Sequence, residues 1–198
     1  MKLRIIATCA ALLALGACAG TATRPAAEAR DAVVASDVPA QGRLRGYVAT
    51  RRHGDFVIVD GREQRREVEY GWDYERAVAL RRTFDLDGRL LETKELSGAD
   101  LGLTETERAR AEALVRGHPA LRELVAAPDV LFWVGGFAYR KPGDPYCDRG
   151  SRCVHVIPGS DFGNHAVAHA IVDLQTDRVV HPFYRPPEGE PIQHAHGE

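Results

Sequence analysis

Four histidines in the second half of the chain, His155, His165, His169 and His181, come closest to a metal-ligating set. A neutral imidazole offers a lone pair to zinc or copper, and a site forms when three or four donors converge at about 2.0–2.3 Å from the ion. His165 and His169 share the parity of Val167 and Ile171, while Ala166, Ala168, Ala170 and Val172 take the other. On one strand, both imidazoles would lie on one face about two pleats apart. That is too far for a single ion unless a neighbouring strand supplies His155 or His181. Half-exposed strand histidines making ordinary hydrogen bonds explain the same pattern, and this is the preferred reading. No cofactor is therefore expected, with copper or zinc as the alternative. His194 and His196 near the C-terminus add a loose pair without a third ligand.

A second cluster is aromatic. Tyr70, Trp72 and Tyr74 alternate with Gly71 and Asp73, and Asp60 lies in an earlier turn. Three rings beside a carboxylate would suit a glycan or peptide, because flat rings supply contact area at low entropic cost. The competing expectation, a β-turn with one ring in the core, is favoured. Hydrolase and kinase motifs fail on spacing. In Gly159-Ser160-Asp161-Phe162-Gly163 the serine adjoins the first glycine, so there is no nucleophile elbow. Asp161-Phe162-Gly163 spells the kinase metal-binding triplet without the loops that would accompany it, and reads as a glycine-rich turn with Asp161 capping its own backbone. The chain is expected to be a non-enzymatic binding or interaction module. An enzyme whose site assembles only in three dimensions is the remaining reading.

Cysteine chemistry starts at the N-terminus. Lys2 and Arg4 precede an apolar run over residues 5–15, broken only by Thr8, which has the length of a signal h-region and is too short for a bilayer span. It ends in Leu15-Gly16-Ala17-Cys18, which resembles the lipobox of bacterial lipoproteins. The resemblance implies a diacylglyceryl group on the Cys18 thiol, cleavage after Ala17 and acylation of the new amine. Several acyl chains hold a protein stably on a membrane that it does not span. Neither Ala19 nor Gly20 is acidic, which by resemblance to Gram-negative lipoproteins favours the outer membrane. With Cys9 removed and Cys18 lipidated, Cys147 and Cys153 are left to pair in an oxidising compartment. The loop between them is polar and contains glycine, the CxxC spacing of a redox-active pair is missing, and chain entropy for so small a loop gives about 2 kcal/mol. The pair reads as a structural staple.

The chain has 198 residues, 26 basic against 28 acidic, so its net charge is −2. Loss of Lys2 and Arg4 with the signal leaves 24 basic residues against 28 acidic, or −4, which excludes a nucleic-acid partner. With 44% apolar and 27% charged residues the composition is globular, and collagen, coiled coil and wholesale disorder are excluded. Expected partners are the membrane, through the lipid anchor, and an envelope protein or glycan.

The elements that must position these residues are read from pattern. Residues 1–17 are the signal, 18–42 a lipidated tether, 43–100 a β-rich half, 101–185 a helix plus four-stranded half, and 186–198 a disordered tail. Asp60-Gly61 and Asp87-Gly88 mark hairpins. Thr104-Glu105-Thr106-Glu107 is a capping box opening a helix that Gly117 and Pro119 stop. A second short helix is predicted over 120–126. Residues 130–134, apolar on both faces, predict a central strand, followed by strands at 154–157, 165–174 and 178–184. Phe84-Asp85-Leu86-Asp87-Gly88-Arg89 echoes Val172-Asp173-Leu174-Gln175-Thr176-Asp177-Arg178, either as two related sheet units or as chance likeness between Asp-rich hairpins.

From the Leu103-Thr104-Glu105-Thr106-Glu107 helix start to Ile171-Val172-Asp173-Leu174-Gln175-Thr176-Asp177-Arg178-Val179-Val180, residues 103–184 resemble the small α+β, cystatin-like domains at the N-terminus of copper amine oxidases. In that family these domains carry no catalytic residue. The quinone cofactor of its catalytic domain arises from an Asn-Tyr-Asp/Glu-Tyr motif, whereas the single asparagine here, Asn164, precedes His165-Ala166-Val167. Amine oxidase activity is not carried over. The fold expected is α+β: antiparallel sheets with one or two helices between two β-rich halves, as cystatin-like units in tandem.

Overall fold

The computed structural model describes residues 42–97, 101–135, 139–148 and 150–185. The signal at 1–17, Cys18, the tether up to residue 41, His194, His196 and the tail at 186–198 lie outside the described residues. Those described form a mixed α+β fold dominated by sheet: two antiparallel sheets and one helix.

The first sheet is a meander in the order β1 (Tyr47–Val59), β2 (Arg62–Asp73), β3 (Val78–Phe84), β4 (Leu90–Leu96). Asp60 and Gly61, at φ +50° and +73°, join β1 to β2 through a two-residue turn whose left-handed backbone matches the strand twist. The β2–β3 register runs only from Asp73↔Val78 to Glu67↔Phe84, so the β1–β2 hairpin continues past it as two strands, with Phe56 and Ile58 exposed. At its other end the sheet enters the core, where Trp72, Tyr74 and Ala79 are buried.

Helix α1 (Glu105–Arg116) begins as its capping box dictates. Thr104 Oγ1 accepts from the Glu107 amide, and the Glu107 carboxylate accepts from the Thr104 amide at 2.7 Å. Its buried face, Ala111, Leu114 and Val115, covers a sheet in the order β5 (Leu131–Val134), β6 (Cys153–Ser160), β8 (Ala170–Asp173), β9 (Arg178–His181), with β7 (His165–Ala166) also pairing β6. Strand alternation sends Val154, Val156, Ala170, Val172 and Val179 to the helix. Trp72, Tyr74 and Ala79 join this same core, so the two β halves share it. Arg110 ties the helix to the β8–β9 turn through Asp177 at 2.8 Å.

Three expectations are corrected. Residues 120–126 form helical turns rather than a second helix: the His118 carbonyl accepts from Leu121 and Arg122, and the Leu121 carbonyl accepts from Leu124 and Val125. Strand β5 is an edge strand, with Phe132 and Val134 against the core but Leu131 and Trp133 outward. An apolar run does not encode how many neighbours a strand has.

The strand expected over 165–174 is broken. Between the pairs Gly159↔Ala166 and Val156↔Ala170, β6 contributes Ile157 and Pro158 while its partner contributes Val167, Ala168 and His169, one residue more. The cause is Pro158. Its carbonyl accepts from the Val167 amide at 2.9 Å, so its nitrogen points the same way, and it has no hydrogen to donate. The ladder bulges there. An extra residue reverses side-chain parity beyond it.

Both echoed hairpins have one chemical device. Asp85 accepts from the Asp87 and Arg89 amides, and Asp173 accepts from the Gln175 and Thr176 amides. An Asx-capped turn accounts for the likeness of the two segments.

Candidate functional site

The face of the second sheet turned away from α1 gathers most of the residues with chemistry. Cys153, His155 and Ile157 alternate outward on β6, opposite Val154 and Val156. His155 pairs with Ile171, and Ile171 with His181, so these three form one row across β6, β8 and β9. His155 and His181 are therefore two strand spacings apart, roughly 9.5 Å. Among the described residues the ligand atoms of His181 gather with Asp144 and Cys147 within 4.8 Å, and His155 is not part of that group.

The bulge decides the rest. His169 lies beyond it on the outward face, and its Nδ1 meets His155 Nε2 at 3.1 Å, the rings tilted by 34°. His165 pairs with Ser160, which has the parity of the core-facing Val154 and Val156, so it falls on the other side from His169. It is largely exposed, with Asp161 3.9 Å away. The four-histidine set thus separates into a His155–His169 pair, a His181 held elsewhere and a solitary His165. The one-face placement of His165 and His169 is corrected, its cause the Pro158 bulge.

His181 belongs to a different cluster. Its Nε2 contacts Asp144 Oδ2 at 3.1 Å, and Asp144 Oδ1 accepts from the Tyr146 and Cys147 amides at 2.8 Å each. Burial pushes the Asp144 carboxyl up, but those two amides and the His181 ring outweigh it and hold its pKa below the usual range. Cys147 and Cys153 are joined by a disulfide and fully buried among Ile171, Val180, Tyr139 and Tyr184. Tyr139 and Tyr184 meet hydroxyl to hydroxyl at 3.1 Å, and the Tyr184 ring lies edge-on to His155. Beside His181 a cavity of about 420 Å³ opens, lined by Lys141, Gly143, Asp144, Phe183, Tyr184 and Arg185 among others.

The aromatic triplet is corrected as well. Trp72 and Tyr74 are core residues, Trp72 only 2% exposed with its indole donating to Gln175 at 2.8 Å, and the Tyr74 hydroxyl donating to Glu107 at 2.8 Å. Tyr70 is half-buried, stacked on His53 with Arg51 over its ring. Trp72 and Tyr74 lie in the core that the two sheets share, and Tyr70 packs partly buried against it. Burial, followed by the Glu107 charge beside it, pushes the Tyr74 hydroxyl pKa well up, so it remains a donor.

Exposed rings occur elsewhere. Trp133, on the edge strand β5, is 62% exposed, and Phe162, in the turn between β6 and β7 next to the Gly163 that the Trp133 indole touches, is 73% exposed. Asp161, Phe162 and Gly163 adopt φ of +49°, +53° and +90°, three left-handed residues in succession. For a residue with a Cβ that conformation costs about 1–2 kcal/mol, and an exposed phenyl ring gains nothing from burial to offset it. Backbone bonds enforce the turn: Gly163 donates to Ser160, Asn164 donates to Asp161, and the Asp161 amide donates to the Asp129 carboxylate. The Trp133 indole lies against Gly163, where an added Cβ would come within 2.9 Å of Nε1. The same turn carries carboxylate and amide groups, with Asp129 accepting from the Asp161 amide and Asn164 donating to Asp161 at 3.3 Å. Sequence reading missed Trp133 and Phe162 as site residues. One stood inside an apolar run, and the other in what looked like a mere turn.

No protein-family model matches the chain, and no curated protein matches it.

Proposed function

We propose that this chain is a lipid-anchored protein of the cell envelope, held through Cys18 on the periplasmic face of the outer membrane. Its folded body is a non-enzymatic module that binds a cell-wall glycan, and Trp133 and Phe162 are the sugar platform. The observation that carries this reading is Phe162: a large apolar ring kept exposed by a left-handed turn, beside an exposed indole, at a cost the fold gains nothing from. Flat rings stack on the C–H face of a pyranose, while Asp129, Asp161 and Asn164 offer acceptors and a donor to its hydroxyls. That mixture suits a sugar better than an apolar peptide. The helix followed by an antiparallel sheet also supports likening residues 103–184 to the small cystatin-like domains of copper amine oxidases, which carry no catalytic residue. The disulfide is compatible with an oxidising compartment.

The test is retention of the full-length protein on purified, insoluble cell-wall glycan. Wild type should sediment with it, and Trp133→Ala and Phe162→Ala should each weaken retention by about tenfold, the loss of a ring worth 1–2 kcal/mol. Equal retention of all three, or none of wild type, overturns the assignment. Cys18→Ser should release the protein from membranes without changing glycan retention.

A metal protein built on the strand histidines is the second reading, favoured by the 3.1 Å His155–His169 contact. Among the described residues no third His, Cys, Asp or Glu ligand atom joins that pair within 4.8 Å.

A further inference from the structure

The disulfide lies beside two groups of ligand chemistry. One ligand atom each from Asp144, Cys147 and His181 lie within 4.8 Å of one another, and Cys153 Sγ is bonded to Cys147 Sγ. Both sulfurs are fully buried, and the side chains of Asp144 and His181 are mostly buried. Two sulfurs, one imidazole nitrogen and one carboxylate oxygen make a donor set that tetrahedral zinc accepts. In the disulfide neither sulfur is a thiolate, so the set is incomplete while the bond stands.

We propose that Cys147, Cys153, His181 and Asp144 form a redox-gated site for a zinc-like divalent ion, which is closed as the disulfide and opens to metal when a dithiol reduces it. In the reduction the Cys147–Cys153 bond breaks, two electrons and two protons pass from the dithiol to give two thiols, and the dithiol closes into its own cyclic disulfide. The ion then displaces both thiol protons. His181 carries its proton on Nδ1 and gives Nε2 to the ion.

Asp144, Cys147 and His181 already bring ligand atoms within 4.8 Å of one another, and Cys153, outside that group but bonded to Cys147, must swing in as the fourth donor once the disulfide is broken. With bonds near 2.0–2.1 Å, a nitrogen and an oxygen on one tetrahedral zinc lie about 3.3 Å apart, and two sulfurs at 2.3 Å about 3.7 Å apart. His181 Nε2 and Asp144 Oδ2 already stand at 3.1 Å. Side-chain rotation separates the sulfurs by the remaining amount once the bond between them has gone. The donors stay assembled without the bond, because Cys153 and His181 lie on β6 and β9 of one sheet. The loop carrying Asp144 and Cys147 is tied down independently: Tyr139 donates to the Cys153 carbonyl at 2.7 Å, Lys141 to the Cys147 carbonyl at 3.0 Å, and Cys147 to Asp144. The cavity of about 420 Å³ at Asp144 and His181 gives an ion access from solvent.

The experiment uses the full-length protein with Co(II) as the probe, first oxidised, then reduced anaerobically. Reduced protein should take up one Co(II) with the ligand-field bands of a tetrahedral ion and a sulfur-to-cobalt charge-transfer band, and oxidised protein should show neither. His181→Gln and Asp144→Asn, which leave the cysteines in place, should each weaken Co(II) binding by about tenfold or more. The proposal is overturned by an absence of uptake on reduction, by an octahedral spectrum, or by uptake that both variants leave unchanged. Far-UV circular dichroism accompanies each step, and a reduced protein that unfolds and is not refolded by Co(II) likewise overturns it. None of these outcomes bears on glycan retention, which is measured on oxidised protein.

Discussion

The Arg152 guanidinium and the Glu107 carboxylate meet at 2.9 Å with side chains only 1% and 0% exposed. Glu107 caps the N-terminus of α1, accepts the Tyr74 hydroxyl from the first sheet and pairs with Arg152 just before β6. Arg152 also donates to the Leu101 and Gly102 carbonyls and lies over Trp72. One carboxylate therefore joins the helix and both sheets. A charge pair so placed is costly to assemble and costlier to break, because either partner left alone is an uncompensated buried charge.

Replacing that carboxylate exposes the dependence. Glu107→Gln should lower the unfolding free energy by about 3–5 kcal/mol, since Arg152 keeps its charge without a counter-charge. Urea unfolding of the variant checks it, and a loss under about 1 kcal/mol would mean that the pair contributes no more than a surface contact.

The same pair sets an acid limit. Burial pushes the Glu107 carboxyl up, but hydrogen bonding and charge from Arg152, with the Thr104 amide and the Tyr74 hydroxyl, outweigh it and hold the pKa below the usual 4.5. The unfolded chain then takes up the proton more readily than the folded one. Its stabilisation is complete above the unfolded value and is lost as pH falls through the folded value. Unfolding free energy should decline over that acid range, and Glu107→Gln should flatten the decline. An unchanged slope in the variant would assign the acid sensitivity to other groups.

Removing the staple should cost less than breaking the ion pair. Cys147→Ser with Cys153→Ser frees a small loop, worth about 2 kcal/mol by chain entropy. The backbone bonds from Tyr139 to Cys153 and from Lys141 to Cys147 should keep the loop in place, so the variant should stay folded. Non-reducing mass analysis of the wild type should find the two cysteines linked, and a double variant as stable as wild type would remove the staple from the account.

Stability and binding should part company at Phe162. Glycine adopts φ of +53° without strain, so Phe162→Gly should stabilise the protein by about 0.5–1 kcal/mol while weakening glycan retention. Phe162→Ala keeps the Cβ and should bring no such gain. Comparable stability of the alanine and glycine variants would show that the turn stores no strain.

How much of this was legible depended on the range of the interaction. The capping box at Thr104 and Glu107 and the Asp60-Gly61 turn are local, and their residues state their own geometry. The bulge left one sign, Pro158, but a proline inside an apolar segment does not say which neighbour it fails to bond. Without it, His165 and His169 keep the same parity on paper and lose it in the sheet. The burial of Trp72 depends on Gln175 and the second sheet, and the His181 contact depends on Asp144 across a loop. Alternation within one strand carries no trace of either. Trp133 was hidden by the company it keeps, since an edge strand and a central strand are written in the same apolar residues.

The central claim is that Trp133 lies under a bound sugar, and the protein has two tryptophans with which to ask. Trp72 is buried and hydrogen-bonded, whereas Trp133 is 62% exposed, so a ligand on the platform changes one emission and leaves the other as an internal reference. Tryptophan fluorescence is followed while soluble cell-wall glycan fragments are titrated into wild type and Trp133→Phe. The account predicts a saturable blue shift in wild type that vanishes in the variant. A titration without saturable change, or the same shift in both proteins, would contradict it.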